Sequence, residues 1–311
     1  MDRLIPPDLI AKLATLGDCL RANIIGQDEV IGDVESLLRG SLCNLRFPGQ
    51  PTSMLFLGAT GVGKTETVLL FTEHLFGSAE EKLVRLDMSE FMTVDSINIL
   101  RGQNQNERGV FGHYYDRSRR SGTLLFDEIE KAHPLILDVL LQILSAARFT
   151  LATGETLDLR NYIVVATSNI GARMLMESRS TDRETLVRRT SQAATQDLRP
   201  ETFGRFDLEC VFNKLDYLTI NRIGELHLAS CLRIIYGQGH SIECGSGVLE
   251  YVQREGYSEK YGVRPMRKTA MRILRDVVSP AMLANGGRPV SGLVEYDRRS
   301  NKCFLKESAK R

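Results

Sequence analysis

Apolar residues near the start of the chain recur at the spacing of an amphipathic helix. Over residues 8–23, Leu9, Ile10, Leu13, Leu16 and Leu20 fall three and four apart, which predicts a leading helix with one face turned to a core. After Ile24-Ile25-Gly26 a second helical pattern covers residues 27–45 and stops at the turn-forming segment Phe47-Pro48-Gly49-Gln50-Pro51. The pattern then changes to short unbroken apolar runs, at 54–57, 83–86, 123–126 and 163–166, alternating with helical stretches. Each run is too short for a helix and lacks two-fold alternation, as strands buried on both faces do, so the sequence predicts a doubly wound α/β domain around a parallel sheet. Past about residue 213 the character shifts. Helical patterns at 218–235, 248–255 and 265–284, with short strands at 241–243 and 292–296, predict a small helix-rich domain. The expected organisation is a leading helix over 1–22, a large domain over 23–213 and a small C-terminal domain over 214–311, with no internal repeat or low-complexity tract.

Length and composition agree with that division. At 311 residues the chain exceeds the size at which one hydrophobic core usually stops growing, and 42% apolar with 25% charged residues is ordinary for a globular protein. A formal net charge of +1 offers no global reason for a nucleic-acid or membrane partner, so any such partner has to be argued from a local cluster. No apolar run approaches the roughly 18 residues of a membrane-spanning helix, and Met1 to Pro7 carry no apolar signal-peptide core, which makes the cytoplasm the expected compartment. Six scattered cysteines with no Cys-x-x-Cys pair read as reduced structural thiols.

The first strand run ends directly in Gly58-Ala59-Thr60-Gly61-Val62-Gly63-Lys64-Thr65, and a helical pattern follows at once. That is the strand, loop and helix context of a phosphate-binding P-loop. Glycines let the loop wrap closely, so that backbone N–H groups and the helix N-terminus face an anion. Lys64 brings positive charge to the β- and γ-phosphates, and the Thr65 hydroxyl suits Mg²⁺. The run Leu124-Leu125-Phe126 ends in Asp127 and Glu128. By itself an Asp-Glu pair after a strand is more often a solvated helix start. Behind a P-loop it reads as a Walker B pair, with Asp127 on the Mg²⁺ side and Glu128 polarising the attacking water.

The stretches Leu125-Phe-Asp-Glu-Ile-Glu-Lys-Ala-His-Pro134 and Thr167-Ser-Asn-Ile-Gly171 resemble AAA+ ATPases of the Clp unfoldase and disaggregase family, in particular its C-terminal ATPase module. Ile25-Gly-Gln-Asp-Glu29, Asp87-Met-Ser-Glu-Phe91, Arg199-Pro-Glu201 and Tyr261-Gly-Val-Arg-Pro265 match as well, in the family's order. The resemblance implies a P-loop AAA+ domain with a parallel sheet flanked by helices, followed by a small, mostly helical lid domain. It implies ATP and Mg²⁺ as ligands, Ile24 and Ile25 lining the adenine pocket, and Asn169 orienting the hydrolytic water. It further implies Arg205 as an arginine finger reaching a neighbouring subunit, and Arg264 as the lid's sensor arginine. A finger supplied in trans requires a ring or filament, and the family's ring is a hexamer.

The family's substrate-gripping loop, with an aromatic-valine dipeptide between glycines, is replaced here by Arg101-Gly-Gln-Asn-Gln-Asn-Glu-Arg-Gly-Val-Phe-Gly112, about four residues shorter than the family pattern. Val110 and Phe111 are candidates for the gripping pair; the alternative is a buried aromatic at a helix start. Residues 148–160 resemble a second, hairpin-shaped substrate loop. Arg101, Arg108, Arg117, Arg119 and Arg120, interleaved with Tyr114 and Tyr115, read more readily as a solvated helix face than as a nucleic-acid groove. The Ile-Gly pairs are not followed by Phe or Leu, so docking to the Clp peptidase is not expected. The function implied is ATP-driven remodelling, unfolding or disassembly of a protein substrate by an oligomeric ring, with an adaptor as a possible further partner. Two alternatives stand beside it: an ATP-switched assembly factor that does not thread its substrate, and a nucleic-acid-stimulated ATPase.

Overall fold

The computed structural model describes residues 5–177, 183–198, 200–258 and 261–307. Arg199, one of the family-matching positions, lies outside them. The chain divides into two compact units, the first covering residues 1–59 and 63–214, the second 215–311 together with 60–62.

In chain order the first unit comprises α1 (Pro7–Asn23), α2 (Asp28–Leu42), β1 (Thr52–Leu57), α3 (Lys64–Phe76), α4 (Ala79–Lys82), β2 (Leu83–Asp87), α5 (Ser96–Arg101) and α6 (Gly109–Arg117). It continues with β3 (Gly122–Asp127), α7 (Pro134–Ala146), β4 (Arg148–Thr150), β5 (Thr156–Asp158), β6 (Tyr162–Ser168), α8 (Ala172–Glu177), α9 (Arg183–Asp197), α10 (Pro200–Phe203) and β7 (Leu208–Val211). Among the described residues β2, β3, β6, β1 and β7 form, in that order, a parallel sheet. β1, β3 and β6 are buried at every position, the physical reason their sequences run apolar without alternation. β7 was not expected. Its four residues include Glu209, and an edge strand this short leaves no hydrophobic run to read.

The predicted leading helix is α1, which packs on α2 and α3 through Leu13, Leu16 and Leu20. Glu35 on α2, nearly buried, is paired with Arg21 and Arg39. The core of the unit joins strand residues such as Leu55, Phe126 and Val164 to Ile136, Leu140 and Ile143 of α7.

The second unit holds α11 (Tyr217–Gly237), β8 (Ser241–Cys244), α12 (Ser246–Gly256), α13 (Met266–Ala284), β9 (Ser291–Asp297) and β10 (Lys302–Glu307). Its helices share a core built on Leu228, Val252, Met266 and Leu274. β9 pairs in parallel with β8 and antiparallel with β10. β10 escaped the hydrophobic pattern because charged residues flank its short apolar centre, Cys303-Phe304-Leu305.

Candidate functional site

All strands of the main sheet run the same way, so the segments leaving β1, β3 and β6 emerge at one edge. They carry the P-loop, the Asp127-Glu128 pair and Asn169. Gly63 caps α3 with φ +110°, a conformation a Cβ would strain, and a Cβ there would stand 3.5 Å from the Ile24 side chain. Ile24 is thus packed against the loop's last glycine, and Ile25 beside it is half-buried. The segment is anchored by a clasp between residues far apart in sequence. The buried Gln27 side chain donates to Asn213 O at 3.0 Å and accepts from Asn213 N at 2.8 Å, while Asn213 Nδ2 donates to Gly26 O.

Lys64 is buried. Its ammonium donates to the carbonyls of Gly58 (2.6 Å) and Ala59 (2.9 Å) and to Asn169 Oδ1 (3.0 Å). From its other end the same amide donates Nδ2–H to Glu128 Oε1 at 3.2 Å. The structure therefore brings together three of the expected residues in one hydrogen-bonded line, Lys64 to Asn169 to Glu128. Thr65 Oγ1 lies 3.5 Å from Asp127 Oδ1, a hydroxyl and a carboxylate of the kind that hard divalent cations select.

Several groups around this line carried no role in the sequence reading. Arg85, on the neighbouring strand, donates to Asp127 Oδ2 at 2.6 Å. The fully buried Thr167 hydroxyl donates to Asp127 Oδ1 and accepts Glu128 N–H at 3.0 Å, joining the Walker B pair to β6. Glu128 itself is left-handed, φ +59° and ψ +54°, a non-glycine conformation that costs about 1–3 kcal/mol and persists only when its surroundings hold it. Lys131 pairs with Glu128 Oε2, and that hydrogen bond and charge push the lysine's pKa above its ordinary value. The signal in sequence for Thr167 and Lys131 was their place inside matching motifs, and for Arg85 its place in a predicted strand, with nothing to say what each touches.

Arg205 is exposed on the turn after α10. Arg264 is exposed in the second unit, on the turn before α13. Among the described residues, Arg205 is not drawn into the hydrogen-bonded line.

Val110 and Phe111 are placed differently from the gripping-pair expectation. Phe111, 1% exposed, lies in the first turn of α6 and stacks on Phe149 of β4 with ring centroids 4.5 Å apart; Val110 packs half-buried on the same core. Gly102 and Gly109 pinch the preceding loop shut. A Cβ on Gly102 would fall 1.9 Å from Glu107 O, and one on Gly109 2.3 Å from Gly102 N. With the neck closed, the short loop exposes only Gln103, Asn104, Gln105, Asn106 and Glu107. Residues 148–160 do form a hairpin, β4 with β5, and it is tied to this loop: Arg108 bridges Asp116 and Glu155, and Ala152 N donates to Arg101 O.

Residues 50–209, just over half the chain, match the family model of the AAA domain (Cdc48 subfamily). The chain belongs to that family. Behind this AAA domain, residues 215–293 match the C-terminal D2-small domain of ClpB protein, so the Clp-type resemblance holds across both units. Similar curated proteins include an ATP-dependent Clp protease ATP-binding subunit ClpA homolog of Porphyra purpurea, 36% identical over 88% of this chain and 35% of the relative. Another is Chaperone protein ClpB 2 of Synechocystis sp., 33% identical over 95% of this chain and 35% of the relative. The chain therefore spans about a third of the length of the curated relatives it matches. Among solved structures, the S. cerevisiae Hsp104-ADP complex aligns with TM-score 0.82 at 27% identity, over 96% of this chain and 53% of the yeast chain. A closed state of Hsp104 with ATPγS and FITC casein aligns with TM-score 0.83 at 27% identity, over 97% and 53%.

Proposed function

We propose that this chain is a Clp-type ATPase that binds ATP with Mg²⁺, hydrolyses it, and uses the cycle to remodel or disassemble a protein substrate as an oligomeric ring. The observation that carries the reading is the line from Lys64 through Asn169 to Glu128 at the carboxyl edge of the sheet. The loop's left-handed glycines, its buried ammonium and the start of α3 at Lys64 fit a triphosphate. Thr65 and Asp127 would hold Mg²⁺, which when bound neutralises charge on the phosphates. Lys64 now donates to its own loop carbonyls, and exchanging those bonds for phosphate oxygens asks only for rotation of a flexible side chain. Asn169 and the strained Glu128 together fix an acceptor beside an amide, which serves to orient a water and take its proton. Arg205 and Arg264 are proposed as the charge-stabilising guanidiniums, Arg205 acting on a neighbouring subunit of the hexamer.

Glu128→Gln keeps the shape of the site and removes the base. Turnover is expected to fall about 100-fold or more while labelled ATP still binds, magnitudes typical of deleting one positioned polar group. Wild-type turnover by this variant would assign the water to another residue.

A second reading has a specific observation behind it. The burial of Phe111 and the closed amide loop favour an ATP-switched assembly factor that does not thread polypeptide. ATP-dependent unfolding of a tagged fluorescent protein separates the two. Unfolding by the wild-type chain selects threading, and its absence with intact ATPase selects the switch.

A further inference from the structure

Glu130 stands two residues beyond Glu128, in the single turn Ile129–Lys131 that follows it. Its Oε1 accepts the main-chain N–H of Asn169 at 3.1 Å. Asn169 has just left β6, so this N–H has lost the strand ladder that pairs its predecessors, and the glutamate supplies the acceptor. The other oxygen, Oε2, is buried with no hydrogen-bond partner among the described residues. A desolvated, unpartnered carboxylate oxygen is costly, and for stability alone a neutral acceptor would serve better. Its presence at this point, one turn from the water-polarising residue and bonded to the backbone of the residue that touches both Lys64 and Glu128, marks a group kept for the site's geometry.

We propose that Glu130 is a positioning residue for ATP hydrolysis: by holding the Asn169 main chain, it aims the Asn169 amide between Lys64 and Glu128. Beside the Thr167 hydroxyl on Glu128 N–H, the Glu130 carboxylate adds a second main-chain tie between the turn that carries Glu128 and the strand end that carries Asn169. Glu130 does not touch the reacting atoms; it acts through Asn169. This inference rests on the hydrolytic reading of the site proposed above.

The test is a double-mutant cycle on the full chain, with kcat and KM for ATP measured separately. Glu130→Ala is expected to lower kcat on the order of 100-fold, as misplacement of a catalytic group by about 1 Å does, with KM within about twofold. Glu130→Gln keeps an oxygen acceptor for the Asn169 N–H and should recover most of that loss; Glu130→Asp, one methylene too short, should not. The decisive comparison is with Asn169→Ala. Adding Glu130→Ala to that variant should cost less than about twofold more in kcat, because the group acted upon is already gone. Multiplicative losses would overturn the proposal, as would wild-type kcat in Glu130→Ala or a loss residing in KM. If Glu130→Ala does not fold, Glu130→Asp takes its place in the same cycle. A wild-type chain that binds ATP without turning it over would remove the hydrolytic reading, and this role with it, whereas turnover insensitive to Glu130 would remove this role alone.

Discussion

The hydroxyl of Thr167 joins the two residues of the Walker B pair, donating to the Asp127 carboxylate and accepting from the Glu128 backbone N–H. Because Glu128 is held in a left-handed conformation, the bond to its N–H is part of what keeps that conformation populated. Thr167→Val matches the shape but removes donor and acceptor together, leaving a buried N–H and a carboxylate oxygen short of partners. We expect a loss of about 1–3 kcal/mol in urea unfolding. Turnover should fall with it by roughly tenfold or more, as one positioned hydrogen bond is worth. Thr167→Ser, which keeps the hydroxyl, should be close to wild type in both measurements, and equal defects in Val and Ser variants would refute the role. Thr167 and Glu130 stand in motifs visible from sequence, and Arg85 in the predicted strand 83–86. Their partners were not legible, since each bond joins segments about 40 residues apart and the stretches between carry no trace of the pairing.

At the scale of elements, α6 shows how one closed loop sets the meaning of the residues that follow it. With Gly102 and Gly109 in backbone contact there is no slack for Phe111 to swing outward, and the ring fills the space above Phe149. Phe111→Ala should therefore cost about 3–5 kcal/mol, read as a shift in the denaturation midpoint. A gripping aromatic on an exposed loop would instead lose substrate handling with stability intact. A second element-scale prediction concerns α11, whose N-cap Asp216 accepts from Thr219 N at 2.7 Å. That backbone bond holds the carboxyl's pKa below its ordinary value. A carboxyl depressed by folding stabilises above its unfolded pKa of roughly 4, and its contribution is lost as pH falls through the folded value. Asp216→Ala should thus lower stability by about 1 kcal/mol at pH 7, with the gap to wild type narrowing in thermal unfolding as pH falls below the carboxyl's unfolded pKa. A gap independent of pH would place the effect elsewhere than in the cap.

For the whole molecule, the exposed Arg205 and its place outside the hydrogen-bonded line suit a site completed by a second copy. Arg205→Ala alone should lower turnover by about 10³-fold or more. Mixing it with the likewise impaired Glu128→Gln chain should restore part of the activity, because some junctions then pair an intact Glu128 with an intact Arg205. Inactive mixtures would mean that the arginine does not act across subunits. Matches to AAA and D2-small domain models account for residues 50–209 and 215–293, while the full-length curated relatives are about three times longer.

What this sequence determined unaided was everything encoded in contiguous runs. The P-loop, the apolar strands each ending in a chemical group, and the switch to a helical second unit are local patterns, and a parallel sheet necessarily gathers its strand ends on one edge. That was enough to bring Lys64, Thr65, Asp127, Glu128 and Asn169 to one place. The tertiary structure decided the rest, because it depends on segments that meet only after folding: the Gln27 and Asn213 clasp spans 186 residues, and the Thr167 link to Asp127 spans 40. It also decided the fate of Phe111. An aromatic between glycines reads alike in an exposed loop and at a helix start, and only the closed neck and the waiting ring of Phe149 choose between them.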